Sequence, residues 1–355
     1  MAEIIAGGEA FNVEIEGPAD APVLMLSNSL GTTLQMWDAQ MPALTRNFRV
    51  VRYDSRGHGG SVAKDGPYSM EQLGRDALAI MDALKLKKVH WMGLSMGGMV
   101  GMWLLVNAPK RIGRAVLANT GAWLGAPDIW NTRIRSARNG DMDSVAQGSV
   151  DRWFTKEFQD KKPDAVKRII NMVRHTPALG YASCCAAIRD MDQREDIRSI
   201  RNEVLVIVGK YDPATPPAMG GLIAGAIPGA RLIDLEAAHL SSIEAETAFT
   251  RAVTAFLTAP EKTPAPAKKA GAKKSAPGKA PAGKSSAKKP PAKEAATGKA
   301  VAKTPAKKAA KKAASKKAGK SSAGKAPAKK AAAKKSPARK AAGKTAAKKV
   351  SKARK

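Results

Sequence analysis

Cysteine is almost missing from this chain: among 355 residues the only two are Cys184 and Cys185. Adjacent cysteines are badly placed for an ordinary disulfide, which excludes a disulfide-built secreted scaffold and predicts reduced, packed thiols in a cytoplasmic protein. Four scattered histidines and these two thiols show no ligand spacing, so no metal site is expected. No apolar run approaches the roughly 18 residues that a transmembrane helix needs. The opening Met1-Ala2-Glu3-Ile4-Ile5 has neither a basic start nor a long apolar stretch, so no signal peptide is expected.

Aromatic residues stop at Phe256, and acidic residues nearly stop with them. Residues 261–355 carry 32 Lys and Arg against 2 Glu, whereas the first 260 residues hold 29 basic and 28 acidic. The net charge of +31 therefore belongs to the tail, and the rest of the chain is close to neutral. That tail is built from Ala, Lys, Pro, Gly, Ser and Thr, with Val301 and Val350 its only large aliphatics. Such a segment buries too little apolar surface to offset its conformational entropy, so residues 259–355 are expected to be disordered. Lysines without aromatics neutralise phosphates but cannot stack bases. The expected partner of residues 261–355 is DNA, RNA or another polyanion bound without sequence preference, with nucleoid association as a consequence; no membrane partner is expected.

What remains, residues 1–258, has the size of one α/β domain. Apolar strands at 10–15, 23–27, 49–53, 89–92, 114–118, 204–208 and 231–235 alternate with helices at 70–84, 96–107, 219–226 and 244–257. This is the rhythm of a mostly parallel sheet with crossover helices. From about 120 to 198 the rhythm breaks into polar, helix-rich sequence containing Trp123, Trp130 and Trp153, which predicts a helical cap inserted over the carboxyl ends of the strands.

The segment Gly93-Leu94-Ser95-Met96-Gly97 is a G-x-S-x-G sequence between a buried strand and an apolar helix. A strand turning sharply into a helix lifts the central residue above the sheet, which makes Ser95 a candidate nucleophile. A serine hydroxyl needs a base, and the base needs a carboxylate to hold it. Asp212 follows the strand at 204–208 and His239 follows the strand at 231–235, giving the order nucleophile, acid, histidine of the α/β hydrolases. Asp234 lies inside a strand and Glu236 sits too close to His239, so neither is favoured as the acid. His58, in the Gly-rich segment after the third strand, is expected to hold its loop with Asp54 and Arg56 rather than to act in catalysis. Two N–H groups must receive the oxyanion. One is expected from Met96 at the helix start. The other comes from Ser29, in the place where many α/β hydrolases have the residue after His-Gly.

Over its first 258 positions the chain resembles the 3-oxoadipate enol-lactonases. The residues that carry the resemblance are Ser27-Asn28-Ser29-Leu30-Gly31-Thr32 with Met36-Trp37, Gly93 to Gly98, and Ala237-Ala238-His239-Leu240-Ser241. In the cap they are Trp130-Asn131-Thr132-Arg133-Ile134, Arg152-Trp153-Phe154-Thr155, Gly180-Tyr181-Ala182 and Arg189-Asp190. The resemblance implies an α/β-hydrolase fold, a small five-membered enol-lactone bearing an acetate arm as substrate, an acyl-enzyme on Ser95, and no metal or organic cofactor. For the acetate carboxylate the expected partner is Arg133, with Trp130 as an apolar wall. Related serine esterases, perhydrolases and carbon–carbon bond hydrolases share the same motifs. Serine at position 95 disfavours dehalogenase and epoxide hydrolase chemistry, which uses Asp there. A reading from another class, a nucleic-acid-binding protein on a passive hydrolase scaffold, is disfavoured by the presence of all three candidate catalytic residues. Beyond position 258 the tail resembles the Lys/Ala/Pro-rich tails of linker histones.

Overall fold

The structure, a computed structural model, describes residues 2–260. The expectations for the basic tail, 261–355, lie outside the described residues. Eight strands form one sheet in the order β1-β2-β4-β3-β5-β6-β7-β8. They are β1 (Ala2–Ala6), β2 (Glu9–Glu16), β3 (Val23–Ser27), β4 (Arg49–Tyr53), β5 (Val89–Leu94), β6 (Ile112–Ala118), β7 (Val204–Gly209) and β8 (Arg231–Leu235). From β4 onward across the sheet every pairing is parallel, while β1 and β2 pair antiparallel at one edge. Central strands such as Val204–Gly209 are buried along their whole length, because helices cover both faces of a parallel sheet.

Strand β1 has no counterpart in the expectations from sequence. Its five residues are mostly exposed and show no clean alternation, and only the turn at Gly7 and Gly8, both at positive φ, folds them back on β2. Edge strands give weak patterns because one side of their backbone and much of their surface stay in water.

The helices are α1 (Met41–Leu44), α2 (Met70–Ala83), α3 (Met96–Asn107), α4 (Pro127–Arg138), α5 (Met142–Trp153), α6 (Lys156–Lys161), α7 (Pro163–Arg174), α8 (Ala178–Asp190), α9 (Pro217–Ala226), α10 (Ser241–Glu244) and α11 (Glu246–Thr258). In α2 the buried Met70, Leu73, Ala77, Ile80 and Met81 recur at helical spacing, and Ser69 caps its start by accepting from the Gln72 N–H. By contrast α3 is buried on nearly every side. The helix expected over 244–257 is two helices, α10 and α11, separated at Ala245. Five helices, α4 to α8, fill the interval between β6 and β7, with α4 packed along α8 and α5 against α7. Among the described residues no helix is long and apolar enough to cross a membrane.

This topology sets the location of chemistry. Strand order reverses beside β3: the chain leaves it for β4 on one side and returns to β5 on the other. Loops beyond the carboxyl ends of two such strands face one crevice, the usual ligand position in open α/β sheets.

Candidate active site

Ser95 stands between β5 and α3 with φ 56° and ψ −115°, a conformation non-glycine residues rarely adopt. Close backbone approach on either side holds it there. A Cβ on Gly93 would lie 2.1 Å from the Gly97 carbonyl oxygen, and one on Gly97 would lie 2.1 Å from that of Ser27. Only glycine fits both places. The Ser95 N–H donates to the Ala118 carbonyl (2.9 Å), and Thr120 Oγ1 donates to the Ser95 carbonyl (2.8 Å), so the elbow is braced by β6 and the loop after it.

Asp212 and His239, expected from their strand ends to act together, do meet. His239 Nδ1 lies 2.8 Å from Asp212 Oδ2, and both residues are buried. The same oxygen accepts from Thr215 Oγ1 (2.6 Å) and Asn119 Nδ2 (3.1 Å), while Oδ1 accepts from the N–H groups of Ala214 (2.8 Å) and Thr215 (2.9 Å). Burial by itself raises the pKa of Asp212, but the charge of His239 and the hydrogen bonds from His239 and Thr215 outweigh it and hold the carboxyl below its ordinary range. Among the described residues no hydrogen bond joins Ser95 Oγ to His239; in hydrolases such contacts are often long before substrate binds. Asp234 is exposed in β8, and Glu236 pairs at the surface with Lys210 and Tyr211, so neither competes for the histidine.

The loop expected to receive the oxyanion follows β3. Its Asn28 carbonyl accepts from the Gly97 N–H (3.0 Å), which brings the loop directly against the start of α3. Met96 is the first residue of α3, where backbone N–H groups have no acceptor within the helix. The Ser29 N–H points at Met36 Sδ (3.3 Å), a weak acceptor. His58 is not beside Asp212. Its Nε2 accepts from the Gly31 N–H (2.7 Å), and burial lowers its pKa, keeping the ring neutral as that bond requires. Asp54 binds the Leu34 N–H (2.8 Å) and Arg56 forms a two-pronged pair with Asp76 (2.7 Å each), so these residues set the loop's shape.

Several contributors escaped sequence reading. Asn119, at φ 44°, donates to Asp212 and to the Ala238 carbonyl and accepts from Ser241 Oγ, joining three loops at one side chain. The Trp153 ring stacks on His239 at 6.0 Å between centroids. In the cap, the Arg133 guanidinium lies 4.7 Å from the centre of the Trp130 ring. A cavity of about 150 Å³ is lined there by Arg133, Arg152, Ser149 and Tyr181. Desolvation, and then the charge of Arg133, lower the pKa of Arg152. Among the described residues no carboxylate pairs with either arginine. Cys184 and Cys185 are free and buried, and burial pushes the Cys185 thiol up to about 12, too high for nucleophilic work.

Comparison with known proteins agrees with this geometry. Residues 22–246 match the family model of the alpha/beta hydrolase fold. The chain is 39% identical over 248 residues to 3-oxoadipate enol-lactonase 2 of Acinetobacter baylyi, covering 70% of this chain and 93% of that protein. It is 35% identical over 250 residues to 3-oxoadipate enol-lactonase 1 of the same organism, covering 70% and 94%. The crystal structure of the enol-lactonase from Burkholderia xenovorans superposes with a TM-score of 0.72 at 43% identity, covering 73% of this chain and 100% of that one. A sheet-borne serine elbow, a buried Asp–His pair and relatives named as enol-lactonases lead to one conclusion: this chain belongs to the α/β hydrolase family and is a carboxylic ester hydrolase.

Proposed function

We propose that the chain hydrolyses 3-oxoadipate enol-lactone to 3-oxoadipate. The observation that carries this reading is the 39% identity to a 3-oxoadipate enol-lactonase across 93% of that protein's length. Ser95 Oγ attacks the ring carbonyl while His239 takes its proton and Asp212 holds the resulting imidazolium. The N–H groups of Met96 and Ser29 receive the oxyanion. Collapse of the tetrahedral intermediate breaks the ring C–O bond and expels an enolate, which takes the proton from His239. Water, deprotonated by His239, then cleaves the acyl-enzyme; His239 returns the proton to the departing Ser95 Oγ, and the released enol tautomerises to the 3-oxo acid. A spectrophotometric assay of lactone ring opening with purified protein tests the reading, and absence of turnover would reject it.

Arg133 takes the acetate carboxylate in this reading. Two neighbouring cap arginines that form no salt bridge among the described residues repel each other, and a guanidinium presents a planar fork to a carboxylate. Arg133→Ala is expected to raise KM for the charged lactone by about 10- to 100-fold, the usual worth of a hydrogen bond to a charged group. A neutral lactone without the acetate arm should change by no more than about threefold. Steady-state kinetics on both substrates decide it: equal losses would remove Arg133 from carboxylate recognition.

For residues 261–355 the reading is non-specific binding of nucleic acid through phosphate neutralisation. A protein ending at Pro260 retains the hydrogen bonds by which Arg114 holds the Leu257 and Pro260 carbonyls (3.1 and 2.9 Å), so its fold should be unaffected. It is expected to keep full hydrolase activity and to lose DNA binding, whereas the full chain binds DNA with an affinity that falls steeply with salt. Gel shifts at low and high salt, run beside the lactone assay, check both halves. Retained DNA binding by the truncated protein would overturn the assignment to the tail.

A further inference from the structure

Glu244 ends the one-turn helix α10, just after the histidine loop, and is half-buried. Among the described residues no cation pairs with it. Its carboxylate is instead occupied by three donors from two distant places in the chain. Oε1 accepts from the Thr155 N–H (3.1 Å) and from Thr155 Oγ1, and Oε2 accepts from the Ala238 N–H (2.8 Å). Thr155 is where the cap passes from α5 to α6; its hydroxyl also accepts from the Phe158 N–H (3.2 Å), capping α6. Ala238 immediately precedes His239. Two further contacts run along the same seam. The Leu240 N–H donates to the Trp153 carbonyl (3.0 Å), and the Trp153 ring lies over the His239 imidazole.

A carboxylate withdrawn from water needs its oxygens satisfied, and hydrogen bonds to an ionised acceptor are the strong ones. Here that strength is divided between the cap and the backbone beside the histidine. We propose that Glu244 is a positioning residue for His239: its carboxylate ties Thr155 of the cap to Ala238, so that one group sets both where α6 begins and how the imidazole is aimed at Ser95. The proposal rests on the assignment of Ser95 and His239 as nucleophile and base. A role confined to holding α6 in place would affect stability but not the reactivity of Ser95.

Reaction of Ser95 with a small fluorophosphonate separates these cases, because the probe reports activation of the serine whatever the natural substrate. A Gln at 244 offers one acceptor oxygen and an NH₂, which must face either Thr155's donors or the Ala238 N–H. Glu244→Gln is expected to slow phosphonylation and lower kcat by about 10- to 100-fold, as sub-ångström misplacement of a base does, with KM within about threefold. Thr155→Val, which deletes a single hydroxyl, should produce a smaller loss in the same direction and carries the test if Glu244→Gln fails to fold. Thr155→Ser should restore the rate. The double variant should be no slower than Glu244→Gln, since both changes break one network. Wild-type phosphonylation rates in Glu244→Gln or in Thr155→Val, or losses that multiply in the double variant, would overturn the proposal. A wild type inert to the probe would overturn it together with the triad assignment.

Discussion

Ser95→Ala is expected to lower kcat for lactone opening by about six orders of magnitude while leaving the melting temperature close to that of the wild type. At 1.36 kcal/mol per decade this is about 8 kcal/mol of barrier, far more than any binding contact in the pocket supplies. The loss is chemical because nothing structural depends on the hydroxyl. The elbow is held by the backbone, through the Ser95 N–H on Ala118 and the Ser95 carbonyl on Thr120, and by the close approaches at Gly93 and Gly97. Alanine meets the same positive φ as serine, so no new backbone strain enters. Turnover within tenfold of wild type, measured in the same assay with protein whose circular dichroism is unchanged, would reject Ser95 as nucleophile.

Asp212→Asn should cost about four orders of magnitude in kcat, through the wrong tautomer rather than a lost nucleophile. The carboxylate accepts from five donors, two on Oδ1 and three on Oδ2. An asparagine has one acceptor oxygen. If that oxygen keeps the Ala214 and Thr215 N–H groups, its NH₂ faces His239 Nδ1, and the ring proton moves to Nε2. That nitrogen then cannot take a proton from Ser95. The other amide orientation sets the NH₂ against two backbone N–H groups and should destabilise the loop after β7 instead. Either way kcat falls, and a loss smaller than tenfold would exclude Asp212 as the acid. The pH dependence of stability follows from the same carboxyl, whose pKa is lowered in the folded protein. Its stabilising share is complete above the unfolded carboxyl's pKa, near 3.9, and is lost as pH falls through the lower folded value. The share should therefore be constant across the neutral range and disappear only below the ordinary carboxylate range.

How much of this was legible in the residues differs from element to element. The candidate serine, acid and histidine could be proposed because each sits at a junction whose pattern is local: an apolar strand, a short polar or glycine-rich turn, then a new element. Strands β3 to β7 were recognisable for the same reason, since strands covered on both faces read as short apolar runs. The divide between a neutral domain and a basic tail needed only composition. The edge strand β1 left no such pattern, and no local signal marks Asn119, which meets Asp212 across 93 positions of sequence, or Glu244, which meets Thr155 across 89. Chain order was enough to expect His58 in its loop and His239 beside the carboxylate, but not that His58 uses its acceptor nitrogen on the Gly31 N–H. By itself the sequence determined the family, the order of the candidate catalytic groups and the separate character of the tail, all of which are written in short-range pattern and composition. Which side chains complete, brace and aim those groups was decided by tertiary structure alone, because hydrogen bonds between loops depend on where the sheet delivers each strand end, and the spacing of residues along the chain does not encode that.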